Sequence, residues 1–120
     1  MIIKFPAVEL ANDDDGLLAL GGDAEPQSLL LAYRSGIFPW PWGEDCQIAW
    51  YAPAKRGVLF LDAFHLSHSS HKDIAKSNYH YTTSQAFPKI LGLCGAVKRR
   101  RQFGTWITNE LKEGILALHY

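Results

Sequence analysis

Between Gly36 and Trp42 the chain reads Gly-Ile-Phe-Pro-Trp-Pro-Trp, and no other stretch limits its folding choices as strongly. Pro39 and Pro41 fix their own φ and push the preceding residues toward extended geometry, so Phe38 and Trp40 sit on a stiff, non-helical segment. Rings held in this way serve as stacking surfaces or as the apolar plug of a small domain. A helix must therefore end before Ile37. Pro26 at a first helical position, Glu25 beside it and Gly36 at the far end bracket that helix across about Pro26 to Ser35, with Leu29, Leu30 and Tyr33 on one face.

Upstream, Ile2 to Phe5 predicts a short strand, Asn12 to Gly16 a charged turn, and Leu17 to Leu20 a short apolar run stopped by Gly21-Gly22-Asp23. The glycine spacing fits neither a dinucleotide fingerprint nor a P-loop, and a turn suffices. Downstream, Cys46 to Tyr51 and Arg56 to Leu61 read as two strands separated by a turn at Pro53. Ser67 caps a helix through about Ser77, an alternating strand follows at Tyr79 to Thr83, and a helix runs from about Ser84 to Cys94, ended by Gly95. Phe103 to Ile107 is loop or strand, and Thr108 caps a last helix that reaches Tyr120 with no stop signal, as a cut end would. Helix mixed with strand predicts an α+β fold.

Charge divides the 120 residues. Residues 1–50 carry two basic against eight acidic side chains, a net of −6, whereas residues 51–120 carry ten basic against four acidic, a net of +6. Pro53 coincides with the change of sign, which places a domain boundary there, with residues 1–55 as an N-terminal domain and 56–120 as the opening of a second. An acidic end suits cationic partners and a basic end suits phosphate. The densest basic cluster, Lys98-Arg99-Arg100-Arg101, precedes Phe103 and Trp106 within one loop length, so a phosphate-contacting patch beside aromatic platforms competes with a merely solvated loop. Without a signal sequence or a long apolar run, the expected location is the cytoplasm.

Other chemistry finds less support. His65, His68 and His71 would spread around a helix, and no cysteine or carboxylate set completes a metal shell, so no metal or cofactor is expected. Cys46 and Cys94 are far apart and read as reduced; Cys94 closes an apolar helix face as a small core residue.

Several strings, in order, resemble one family. Asp15-Gly16-Leu17-Leu18-Ala19-Leu20-Gly21-Gly22-Asp23, then Ala32-Tyr33-Arg34, Gly36-Ile37-Phe38-Pro39-Trp40 and Trp50-Tyr51-Ala52-Pro53 are similar to segments of the leucyl/phenylalanyl-tRNA-protein transferases. Phe64-His65-Leu66-Ser67, Ala86-Phe87, Cys94 and Gly104-Thr105-Trp106-Ile107-Thr108 continue the series, so the resemblance spans nearly the whole chain. It implies a small N-terminal domain on an acetyltransferase-like (GNAT) α/β domain, here incomplete. The implied activity moves leucine or phenylalanine from charged tRNA to acceptor proteins that begin with Arg or Lys, the bacterial N-degron signal for proteolysis. It further implies that Trp40 and Trp106 contact the aminoacylated 3′ end, with Tyr33 nearby, and that Lys98, Arg99, Arg100 and Arg101 hold RNA backbone.

Two departures limit the carry-over. Gly114-Ile115 stands where the family usually has Ala-Tyr, so no tyrosine hydroxyl is assigned there. The family's Asp-Cys-Gln segment, source of its catalytic carboxylate, has no counterpart before Tyr120, and Asp45-Cys46-Gln47 has the same letters in the wrong place. No catalytic residue is therefore expected in these 120 residues, and the isolated chain is expected to be inactive. A non-catalytic tRNA- or RNA-binding module and the product of a decayed gene are the alternatives.

Overall fold

In the computed structural model, residues 1–98, 100 and 104–120 are described. The helix predicted before the proline-aromatic segment forms as α1, Pro26–Arg34. Pro26 in its first turn gives up an N–H that would have had no helical partner, and the Asp23 carboxylate accepts from the Glu25 N–H at 3.0 Å and the Ser28 hydroxyl at 2.7 Å. At the other end Ile37 N–H donates to the Ala32 carbonyl at 2.8 Å and Gly36 N–H to the Tyr33 carbonyl at 3.1 Å. This double closure needs a left-handed residue, and Gly36 supplies it at φ 71°. Ile37 is then buried, so the chain leaves α1 in one fixed direction.

That direction leads into a three-stranded antiparallel sheet. Its strands are β1, Leu17–Leu20, β2, Phe38–Pro39, and β3, Ala49–Tyr51, in the order β1-β3-β2. β3 is central and its Trp50 is the largest fully buried side chain. The Trp50 indole N–H donates to the Gly21 carbonyl at 2.8 Å, and Phe5 meets the ring edge-on at 4.9 Å. Around it lie Ala24, Leu29, Ala32, Ile37, Ile48, Ala52 and Leu111. Leu111 comes from α4, Asn109–His119, whose cap Thr108 accepts from the Leu111 N–H at 3.3 Å. α4 packs on α1, and at Gly114 the approach is so close that a Cβ would run into the Ala24 carbonyl.

Two compact units make up the chain, Met1–Ala54 with Phe87–Tyr120, and Lys55–Ala86. The first holds the sheet, α1, α4 and α3, Phe87–Ala96. The second holds a short 3-10 helix, Leu61–Ala63, and α2, His68–Lys76, whose cap Ser67 accepts from the Ser70 N–H at 3.2 Å as its sequence predicts.

The mixture of helix and antiparallel sheet is α+β, and several element predictions need correction. Ile2 to Phe5 is not a strand: the Ile2 N–H is taken by the Ser28 hydroxyl at 2.8 Å and Phe5 packs on Trp50, so the segment is held by side chains instead of a ladder. Of Cys46 to Tyr51 only Ala49–Tyr51 pairs. Arg56 to Leu61 and Tyr79 to Thr83 are not strands, and their apolar residues Val58, Leu59, Phe60, Leu61, Tyr79 and Tyr81 are exposed, which shows β propensity without a partner edge. α3 starts at Phe87, after Ser84 at φ 62°, and continues through Gly95 to Ala96. Cys94 is exposed, because α3 turns Leu91 and Gly95 inward, Gly95 toward Ile107, and Cys94 lies one step around the helix.

Candidate aromatic binding site

The proline-aromatic segment enters the sheet as an extended strand, and period-two alternation sorts its rings. Pro39 pairs with Trp50 and both are buried; Phe38 pairs with Tyr51 and both face the other side. Trp40, two residues beyond Phe38, is on that outer side as well, and its N–H donates to the Ala49 carbonyl at 2.7 Å. The Phe38 and Tyr51 rings stack at 6.1 Å and 22°. From the far side the Trp42 indole N–H donates to the Tyr51 hydroxyl at 3.0 Å.

Phe38, Trp40, Trp42 and Tyr51 line a cleft of about 380 Å³. Trp106, from the loop before α4, stacks on the Trp40 ring of that lining, centroids 5.0 Å apart and planes at 14°. The Trp106 loop is set by the Thr105 hydroxyl, which accepts from the Ile107 N–H at 3.1 Å, and by the burial of Ile107 and Thr108. Across the gap the Glu44 carboxylate accepts from the Asn109 N–H, at 3.2 and 3.1 Å from its two oxygens. Trp40 keeps 40% of its surface in solvent and Trp42 61%, so ring area is available to a ligand.

Chemically the cleft offers flat π surfaces and one hydroxyl. None of its four lining residues is a carboxylate, a histidine or a thiol, so it suits capture of a planar ring or an apolar side chain and not proton transfer. Of the residues named from the sequence, Trp40 and Trp106 are brought together. Tyr33 is 43% exposed on α1, and among the described residues its ring contacts neither tryptophan; partial burial holds its hydroxyl pKa above the usual 10.0. Lys98 and Arg100 are exposed, while Arg99, Arg101 and Phe103 lie outside the described residues. Phe38, which the sequence offers with Trp40 as a stiffly held stacking ring, lines the cleft as well. Trp42 and Tyr51 are not assigned to the site from the sequence, although the alternation of ring and proline in one strand and the Trp-Tyr pair in the other held the signal.

Among the described residues no group of three or more His, Cys, Asp or Glu side chains could hold a metal, and no helix is long and apolar enough to cross a membrane.

Comparison with known proteins gives one answer over both halves of the chain. The family model described as Leucyl/phenylalanyl-tRNA protein transferase matches residues 58–120, and that of its N-terminal domain matches residues 22–54. A leucyl/phenylalanyl-tRNA–protein transferase of Flavobacterium psychrophilum is 50% identical over 105 residues, 88% of this chain and 49% of that protein. Those of Flavobacterium johnsoniae and Syntrophus aciditrophicus are each 44% identical, over 96% and 98% of this chain and 53% and 48% of their own lengths. The chain thus spans about half the length of the curated relatives it matches.

Proposed function

The chain belongs to the leucyl/phenylalanyl-tRNA protein transferase family, and from that premise we propose that it is the N-terminal part of an enzyme that moves leucine or phenylalanine from charged tRNA to a protein α-amino group. The observation that carries this reading is the stack of Trp40 on Trp106 at an all-aromatic cleft. A terminal adenine or an apolar aminoacyl side chain is the kind of group such a surface holds, and base–aromatic stacking is worth about 1 to 3 kcal/mol per base. Tyr33 is assigned to the neighbourhood of that site, and the Lys98 to Arg101 loop to RNA backbone.

The ester bond of an aminoacyl-tRNA is already activated. A free amine attacks the ester carbonyl, the terminal ribose oxygen leaves, and the proton lost by the amine returns to that oxygen directly or through water. Holding the two reactants in register therefore contributes more than strong base catalysis. Residues 1–120 supply the holding surface, and the carboxylate and most of the amino-acid pocket are assigned to a further acetyltransferase-like half. The matches ending at residue 54 and resuming at residue 58 support a domain division at about residue 55. Exposed Val58, Leu59, Phe60 and Tyr79 are consistent with strands that pair only in that larger domain. Acceptors beginning with Arg or Lys, a role in the N-degron pathway and a cytoplasmic location complete the proposal.

A chimera tests it. Residues 1–120 joined to the second half of the Flavobacterium psychrophilum relative should transfer leucine or phenylalanine from charged tRNA to an Arg-initiated peptide, and residues 1–120 alone should not. A folded chimera that binds charged tRNA and transfers nothing would instead favour a non-catalytic RNA-binding module.

A further inference from the structure

We infer that Glu44 is a positioning residue that latches the Trp40–Trp106 stack by tying the loop after β2 to the first turn of α4. The two indoles come from segments 66 residues apart in sequence. Trp40 is anchored on its N-terminal side by the ladder bond to Ala49 and Trp106 on its C-terminal side by the start of α4, but neither anchor fixes the distance between the rings. Glu44 lies four residues beyond Trp40, Asn109 three beyond Trp106, and the bond from the Asn109 N–H to the Glu44 carboxylate closes a small ring through both stacked tryptophans.

The chemistry of the contact suits a latch. Asn109 is the first residue of α4, so its N–H has no partner inside the helix, and it faces the positive end of the helix dipole. A carboxylate answers both the donor and the dipole, where a neutral residue would answer at most one. The loop is shaped to deliver it: Cys46 N–H donates to the Gly43 carbonyl at 3.3 Å, a turn that brackets Glu44. Thr108 already caps the helix through Leu111, so Glu44 is not required for α4 to start. Its contribution goes to where the helix start sits relative to the Trp40 loop.

The inference rests on the proposed function only for the use of the stack, and the test separates the two. Two substitutions remove the bond from opposite sides in the 120-residue chain. Glu44→Ala deletes the acceptor. Asn109→Pro deletes the donor, and proline is favoured at a first helical position, with Thr108 already extended at φ −68°, ψ 164°. Glu44→Gln keeps a side-chain oxygen and serves as the conservative rescue. The readout is the circular-dichroism couplet of the paired indoles, identified as the signal that Trp106→Phe removes, with thermal melts confirming that every variant is folded.

Both Glu44→Ala and Asn109→Pro should shift the stacked population by about five-fold, the scale of one partly solvated charge-assisted bond, and the double variant should lose no more than either single one. Glu44→Gln should retain most of the couplet. A couplet unchanged in the two single variants, in folded protein, overturns the latch, as does full additivity in the double variant. Adenosine titration of the same proteins supplies the second arm: binding that weakens in step with the couplet supports both the latch and the function assigned to the stack. Binding indifferent to a lost couplet supports the latch and removes the stack from the ligand site.

Discussion

Asp23 shows how much one side chain can organise. Its carboxylate accepts from the Ser28 hydroxyl and the Glu25 N–H and pairs at 2.8 Å with the α-ammonium group of Met1, which also lies 3.4 Å from Glu25. The bond to that ammonium, and then the one from Ser28, hold the Asp23 carboxyl below its usual 3.8; the bond to Asp23 raises the α-amino group above 8.0. A depressed carboxyl favours the fold above its unfolded value, and that contribution disappears as pH falls through the folded value. A raised ammonium favours the fold below 8.0 and loses its contribution as pH climbs past the folded value. The pair's share of stability in this chain is therefore whole between pH 3.8 and 8.0 and fades on either side. Melting temperature against pH should show that plateau, and Asp23→Asn should lower it and blunt both shoulders. At this scale the sequence is eloquent about caps, since Ser67 and Thr108 accept the bonds their positions predict. It says less about pairs: nothing in either neighbourhood announces that Trp40 and Trp106 meet, because contacts across 66 residues depend on how α1, the sheet and α4 pack.

Elements form here where local signals and tertiary partners agree. α1 is legible at its two ends, Pro26 and the glycine closure at Gly36, because start and stop signals are local. Its buried stripe is not: the face packed inward is Ser28, Leu29 and Ala32, while Leu30 and Tyr33 of the predicted stripe are exposed, because the packing of α4 on α1 selects the side with the small residues. The segments 56–61 and 79–83 carry comparable β propensity and form no strand, since propensity alone does not make one: a strand also needs a paired neighbour, and neither segment pairs with any described residue. The contact of α1 with α4 depends on a residue whose importance pattern reading cannot supply. Gly114 looks like a weak point in a helix, yet it is buried where only a hydrogen fits against the Ala24 carbonyl. Gly114→Ala, which would favour an isolated helix, should lower the unfolding free energy by about 1 to 3 kcal/mol as overpacked contacts do, measurable by chemical denaturation. Ala117→Gly on the same helix is the control, with the ordinary loss of about 1 kcal/mol for a glycine in a helix.

Under the proposed function, the basic residues and the aromatic cleft are assigned to the two parts of one ligand, a polyanion with a planar, apolar-tipped end. Residues 51–120 have a net charge of +6, and four of their ten basic residues are Lys98, Arg99, Arg100 and Arg101. If these four contact phosphates, replacing all of them by serine should reduce the slope of log binding constant against log salt by about 3, with uniform weakening across RNA sequences. An unchanged slope would leave the cluster as solvated loop. The sequence announces the cluster openly and the resemblance assigns both tryptophans, whereas the cleft walls Trp42 and Tyr51 emerge only when β2 and β3 are set in register.

The decisive measurement is indole fluorescence titration of the 120-residue chain with a phenylalanine-charged tRNA minihelix and with a duplex RNA that lacks the single-stranded end, for wild type, Trp40→Ala and Trp106→Ala. Both substitutions should weaken the charged minihelix by at least about five-fold, as expected for loss of one stacking partner, and change duplex binding by less than about two-fold. Equal loss on both ligands, in variants that melt like the wild type, would show that the stacked rings only hold the fold and that the charged end is bound elsewhere.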